Sequence, residues 1–350
     1  MTSREIVRRA VHFEKPPRLP VSFDAFGCSD FARVPIRDAP VFHPSQDGED
    51  EWGCIWEKTE TLNMGQVKGH PLEDIMKLDS HHFPNYDDDA PYADVPEALD
   101  EADAEGKYIQ AGIFMVLFER MHSLHGFENV LMNLFIDRPA MEALADRIVD
   151  VQLNKIENVA RRFNGRVHGW TMTDDWGTQQ AAFISFDLWM DFFFPRYKRI
   201  FDAMHAMGCT VLVHSCGKVN EIIEGLILAG ANCVNLQQPR ALGIEEIGRR
   251  YRGRVTFSSL CDIQHTLPTG DRAKIEADVD ALMTHWATAG GGFILSDYGD
   301  DVAIGVPCPD TKLHMYRTFS RYSERLYGKP LPEPRAPERG ETNDSEDQQP

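Results

Sequence analysis

The sequence predicts an α/β fold of the (β/α)8 TIM-barrel type, and three observations carry that prediction. From Tyr108 onward, short runs of small and β-branched residues alternate with segments of helical period, as in a parallel sheet covered by helices. At least seven such runs are visible in the 350 residues. None is followed by a Gly-x-Gly-x-x-Gly turn, which favours a closed barrel over a doubly wound sheet.

The elements follow in order. Residues 3–13 begin with a capping pattern, "TSRE", and place Ile6, Val7, Ala10 and Val11 at helical spacing. Prolines in "PPRLPVSFDAFG" stop that helix and precede a first strand ending at Asp24. Residues 28–107 break into short pieces and read as an insertion or lid. Within it, "DEWGCIWEKTE" and "GQVKGHPL" alternate like a hairpin, and "PNYDDDAPYADV" reads as acidic loop. Then come a strand in "KYIQAGIF", helices broken before Pro139, a strand in "RVHGWTMTDDWG" and a helix in "FDLWMDFFFPRYKRIFDAMHAMG". The strands "CTVLVHSCG", "ANCVNLQQP", "RVTFSSLCD" and "GGFILSDYG" complete the series, with helical segments between them. One barrel domain over residues 1–330 is therefore expected. Residues 331–350 hold almost no apolar side chain and are expected to be disordered.

Composition narrows the function. Lys and Arg total 36 against 55 Asp and Glu, a net charge of −19, which disfavours nucleic acid and anionic membrane surfaces. No signal-peptide core and no run of about 18 apolar residues occurs, so a cytoplasmic protein is expected. The seven cysteines lack the density of a disulfide scaffold and are expected to be mostly reduced.

In a TIM barrel the chemistry sits at the C-terminal strand ends, so the polar residues that close each apolar run are the candidates. His214 and Cys216 lie two apart at a strand end, on one face, and are expected to hold a metal such as zinc. A catalytic zinc takes three protein ligands, and Cys261 or Asp297, and less favourably Cys308, could complete the set. Asp174 and Asp175 point in opposite directions, so one should serve as acid/base and the other as a turn cap. Asp262 is read as catalytic or capping, and Tyr298 as a substrate-facing hydroxyl or a pocket wall. Asp24, Glu119, Arg120, Gln179, Gln237 and Ser296 are expected to bind substrate, with Gln238 beside them.

Several stretches together resemble the uroporphyrinogen decarboxylase superfamily: "SREIVRRAVHFEKPPRLPVSF", "DEWGCIWE", "TDDWGTQ", the block from "FFFPRYKRIF" through "TVLVHSCGKVNEI" to "NLQQP", "CDIQHTLPTG" and "GGGFILS". The resemblance implies a (β/α)8 barrel and one of two chemistries. Haem-pathway decarboxylases hold the substrate's propionates through arginines of an N-terminal segment; here no arginine lies between Arg18 and Arg33. The other branch consists of zinc-dependent methyltransferases that use a corrinoid (methylcobalamin) on a partner protein and a thiol or other small acceptor. Their ligand set resembles His-x-Cys followed by a distant Cys. His214 and Cys216 match its first two positions, and no cysteine follows in "GGFILSDYGDD". The resemblance favours methyl transfer. Decarboxylation of a porphyrinogen or other carboxylated molecule is the alternative, and a non-catalytic corrinoid- or tetrapyrrole-binding barrel a third.

Overall fold

A computed structural model describes residues 1–39, 44–58, 65–163 and 165–334. Eight strands of one nine-stranded sheet run parallel: β1 (Val21–Phe23), β3 (Phe31–Arg33), β6 (Tyr108–Ile113), β7 (Gly169–Thr173), β8 (Thr210–His214), β9 (Cys233–Asn235), β10 (Thr256–Ser259) and β11 (Phe293–Ser296). The two-residue β2 (Cys28–Ser29) pairs antiparallel to β1 and leads into β3. The order β2-β1-β11-β10-β9-β8-β7-β6-β3 therefore curls into a nearly closed barrel whose seam is bridged by the turn at Asp30. The (β/α)8 expectation holds, with one difference: its eighth parallel strand, β3, lies at the start of the stretch read as an insertion. A three-residue strand carries no periodicity to read.

The remainder of that stretch forms the expected hairpin, β4 (Ile55–Glu57) with β5 (Gln66–Gly69), on the barrel's mouth. It also holds helix α2 (Val95–Ala104), which the sequence reading missed. α1 (Ser3–Val11) closes the barrel floor: Val7 and Val11 pack on Tyr108, Cys233 and Ile294, and Val11 C=O accepts from Thr256 Oγ1.

The outer layer comprises α3 (Phe118–His125), α4 (Phe127–Ile136), α5 (Arg138–Phe163), α6 (Phe186–Leu188), α7 (Phe194–Ala206), α8 (Ile222–Ala229), α9 (Pro239–Leu242), α10 (Ile244–Tyr251), α11 (Arg272–His285) and α12 (Pro309–Tyr327). α12 had not been read from the sequence. Pro195 lacks an N–H and cannot continue an α-helical ladder, and the chain before it, Trp189–Phe193, adopts a π-turn. That aromatic run is core: Trp189, Phe192 and Phe193 are all fully buried.

The first residues of the stretch expected to be disordered are packed. Leu331 is buried, its N–H donates to Ser320 Oγ, and Pro332 C=O accepts from Tyr316 Oη. Its one leucine is the anchor that composition averaged away; residues 335–350 lie outside the described residues.

The barrel seam depends on one buried ion pair. Arg18 grips Asp30 with two parallel bonds of 2.6 and 2.7 Å, while Ser3 Oγ and Val21 N–H donate to the same carboxylate. Removing the cation would strand a buried charge. Arg18→Leu is expected to cost about 3–5 kcal/mol, read as a lower urea midpoint at unchanged slope.

Candidate active site

Side-chain alternation decides which strand-end residues meet. In β7 and β8, Trp170, Met172, Val211 and Val213 turn outward and are buried under helices. Thr171, Thr173, Leu212 and His214 turn inward and are less buried, because the upper barrel is open. Continuing the two-residue period, Asp175 and Cys216 fall on the inner face with His214, and Asp174 on the outer.

The inner trio is close. Cys216 Sγ lies 3.3 Å from His214 Nε2, and Asp175 Oδ1 lies 3.7 Å from the same nitrogen. One ligand atom from each residue lies within 4.8 Å of the others, a spacing a single cation can bridge. Two loops hold them there. Cys216 N–H donates to Asp175 Oδ1 at 2.7 Å, Trp176 N–H to Ser215 Oγ at 3.1 Å, and Lys218 N–H to Thr178 C=O at 2.7 Å. Gly217 makes this approach possible: at φ +85° a Cβ there would sit 2.2 Å from the Gly177 carbonyl oxygen.

The histidine tautomer follows from its support. Asn235 Nδ2 donates to Ser258 C=O at 3.1 Å, and a carbonyl can only accept, so Asn235 Oδ1 is the atom that faces His214 Nδ1 at 2.6 Å. Nδ1 therefore carries the proton, and the Nε2 lone pair faces Cys216 and Asp175. Asn235 was absent from the sequence reading. Its only signal was its place one strand over, in register with His214.

The charges around the trio are shifted. Burial, reinforced by the Asp175 carboxylate, pushes the Cys216 thiol far up, so without a cation it stays protonated. Glu119, from the first turn of α3, lies beside the Asp175 N–H and the Thr173 hydroxyl, and its Oε2 is buried without a partner. Burial and then repulsion by Asp174 and Asp175 raise it to about 9. The Tyr298 hydroxyl is raised by burial and by the nearby Cys216 and Asp175. Asp174 turns away and caps α3: its carboxylate accepts from the N–H groups of Leu117, Phe118 and Glu119 and from the Tyr197 hydroxyl.

The other candidates do not join the trio. Cys261 is fully buried in the outer layer with its Sγ toward Ile275 C=O, and Asp297 is paired with buried Lys312 on α12. Both stand an odd number of residues from an inward neighbour, Ser258 or Ser296, and so face outward. Cys308 is exposed at the start of α12. The Asp262 carboxylate is consumed by the N–H groups of Arg240, Gln264 and His265, the capping use. Ser296 supports Asn235 at 3.2 Å. Gln238 Oε1 accepts from Gly217 N–H and Gln179 Nε2, so these two glutamines brace the loops. Among the described residues the Gln237 side chain reaches only the Asp297 carbonyl, at 3.5 Å, and Asp24 is exposed after β1. Arg120 faces away from the trio, into a cavity of about 530 Å³ under the hairpin.

The chain superposes on a methyltransferase from Methanosarcina mazei with a TM-score of 0.62 at 13% sequence identity, over 93% of this chain and 99% of that one. A D-psicose 3-epimerase crystallised in the presence of D-fructose aligns with a TM-score of 0.40 at 13% identity, over 73% of this chain and 87% of that one. No curated protein matches the sequence. A family model described as uroporphyrinogen decarboxylase (URO-D) matches residues 111–314, more than half of the chain. That span contains β7 through β11 together with Glu119, Asp175, His214, Cys216 and Tyr298, and the chain belongs to the uroporphyrinogen decarboxylase family.

Proposed function

We propose that this chain is a metal-dependent methyltransferase of the family, binding zinc through Asp175, His214 and Cys216 and transferring a methyl group between a corrinoid on a partner protein and a thiol or other small acceptor. The observation that carries the reading is the convergence of one nitrogen, one sulfur and one carboxylate oxygen at the barrel mouth, with the imidazole lone pair already aimed at the shared point. Three protein ligands with an open side are the arrangement of a catalytic rather than a structural zinc site. The superposition on a methyltransferase supports the same branch. No described helix is long and apolar enough to cross a membrane, and all seven cysteines are unpaired, which suits the cytoplasmic location that belongs to this reading.

When bound, zinc would act as a Lewis acid that lowers the pKa of a coordinated thiol. The chain's own residues do the rest. Asn235 keeps the proton on His214 Nδ1 and so leaves Nε2 free to ligate. Asp175 positions Cys216 through its backbone N–H, and its negative charge offsets the cation. In the metal-free chain burial and the field of Asp174 and Asp175 keep a proton on Glu119, and its unpartnered Oε2 can hydrogen-bond to a substrate oxygen or nitrogen. Tyr298, partly exposed, offers a second hydroxyl on the open side.

Elemental analysis of the purified protein should find one zinc per chain, lost in His214→Ala and Cys216→Ala; a wild type without stoichiometric metal, together with turnover of uroporphyrinogen in a chelator, would replace this reading by decarboxylation. Asn235→Leu keeps every ligand but removes the partner of Nδ1, and should weaken zinc binding about 10–100-fold by competition with a chelator. The Glu119 carboxyl has a pKa of about 9 in the folded chain against an ordinary 4.5, so the folded state holds the extra proton between those values. Its contribution to stability is therefore intact below about pH 4.5 and is lost as the pH rises through 9. Glu119→Gln cannot lose that proton. In metal-free protein its melting temperature should match wild type near pH 5 and exceed it increasingly towards pH 9.

A further inference from the structure

The cavity under the hairpin is lined by three cations, Lys155, Arg120 and Arg33, of which only Arg120 has a carboxylate at contact distance among the described residues. Lys155 of α5 rests its ammonium 4.7 Å from the centre of the Tyr86 ring, and it makes no hydrogen bond or ion pair among the described residues. An aromatic face holds an ammonium without consuming all of its N–H donors. Burial lowers the Lys155 pKa, a cost that a bound anion would offset. Arg120 is 4% exposed and lies 4.6 Å over Trp52; it spends Nη1 on Asp50, while its buried Nε has no partner. Arg33, at the end of β3, lines the same cavity, and its guanidinium is unpaired among the described residues.

Two of the three carboxylates on these walls, Asp50 and Glu51, are already engaged. Asp50 accepts from Arg120, from Trp56 Nε1 and from the N–H groups of Trp52 and Cys54. Glu51 accepts from the Tyr86 hydroxyl and from Ala39 N–H, and burial raises its pKa. Asp38 is exposed at the rim. The free donors are therefore cationic, in a chain whose net charge is −19.

The apolar side of the cavity is aromatic. Trp52 and Tyr86 have one face covered by a cation, but Trp56 and Phe114 stand 6.2 Å apart at 32°, and Phe114 is 45% exposed. Thr173 lines the cavity and is the register partner of His214 on the next strand, so the cavity and the metal-ligand trio adjoin neighbouring strands.

We propose that this cavity binds a small aromatic acid, its oxyanion held by Lys155 and the free edge of Arg120, with Arg33 at the entrance, and its ring against Trp56 and Phe114. The proposal deepens the methyl-transfer reading by naming a substrate class. It rests on that reading for the reaction and not for the binding. Carboxylate, sulfonate and phosphate share the oxyanion chemistry, and the probes separate them.

The test is a titration of metal-free full-length protein with benzoate, benzenesulfonate and phenyl phosphate, followed by calorimetry and by the fluorescence of Trp52 and Trp56. At least one acid should saturate a single site per chain, and the tightest of the three names the anion. Benzamide, flat but uncharged, and acetate, charged but without a ring, should each bind at least about tenfold more weakly. Lys155→Met should lose about tenfold for the acid and leave benzamide unchanged, with Lys155→Arg restoring most of the loss. Arg33→Gln alters an exposed residue and should weaken the acid severalfold even if Lys155→Met fails to fold. Saturation by none of the acids, equal affinity for benzamide, or unchanged acid binding in the folded Lys155 and Arg33 variants would overturn the proposal. His214→Ala should bind the acid as wild type does, so loss of zinc with retained acid binding, or the reverse, shows which of the two readings has failed.

Discussion

The hydrogen bond between Asn235 and His214 organises the centre of this protein. Its direction is set on the next two strands, where the Ser258 carbonyl and the Ser296 hydroxyl take the Asn235 amide hydrogens and leave only oxygen to face the imidazole. A proton is thereby fixed on one ring nitrogen and a lone pair on the other. The chain connects β8, β9, β10 and β11, so the closed sheet itself presents that lone pair. A bulky apolar residue at any of these positions would fill the barrel as most TIM barrels are filled; small polar ones leave it open and directed.

The other two members of the trio depend on the loops after β7 and β8 lying close against each other. Gly217 and Gly177 provide the approach, and the bond from Cys216 N–H to the Asp175 carboxylate, with the backbone bond from Lys218 to Thr178, brings Asp175 and Cys216 together. Behind them, Asp174 ties the end of β7 to the first turn of α3, and Tyr197 and Trp176 pack beneath its carboxylate. Adjacent aspartates thus serve opposite ends: one stabilises the helix that carries Glu119, and the other joins the site that Glu119 faces.

α3 also separates two electrostatic environments. Glu119 sits among carboxylates and is held neutral, whereas Arg120, the next residue, projects into the cavity under the hairpin and stacks on Trp52. The stretch around Asp50 therefore forms a wall of that cavity. The same guanidinium anchors that wall and charges it.

The sequence alone determined the barrel and the strand ends at which its polar residues gather. Buried parallel strands must be apolar runs and their covering helices amphipathic, and that periodicity survives without knowledge of any contact. His214 and Cys216 were legible because two residues at even spacing on one strand share a face regardless of the rest of the fold. Only the tertiary structure decided what stands beside them. Asp175 lies 39 residues before His214 and meets it because β7 and β8 are neighbours, whereas Cys261 and Asp297, equally plausible by residue type, fall on the outward side of the pleat. Lys155 was invisible for the same reason: on its helix it is one charged residue among many, and it becomes a cavity wall only where Tyr86 and Glu51, from a distant part of the chain, pack beside it. Periodicity is a local property of the chain, but the partners of a polar group are chosen by which surfaces the closed barrel brings together.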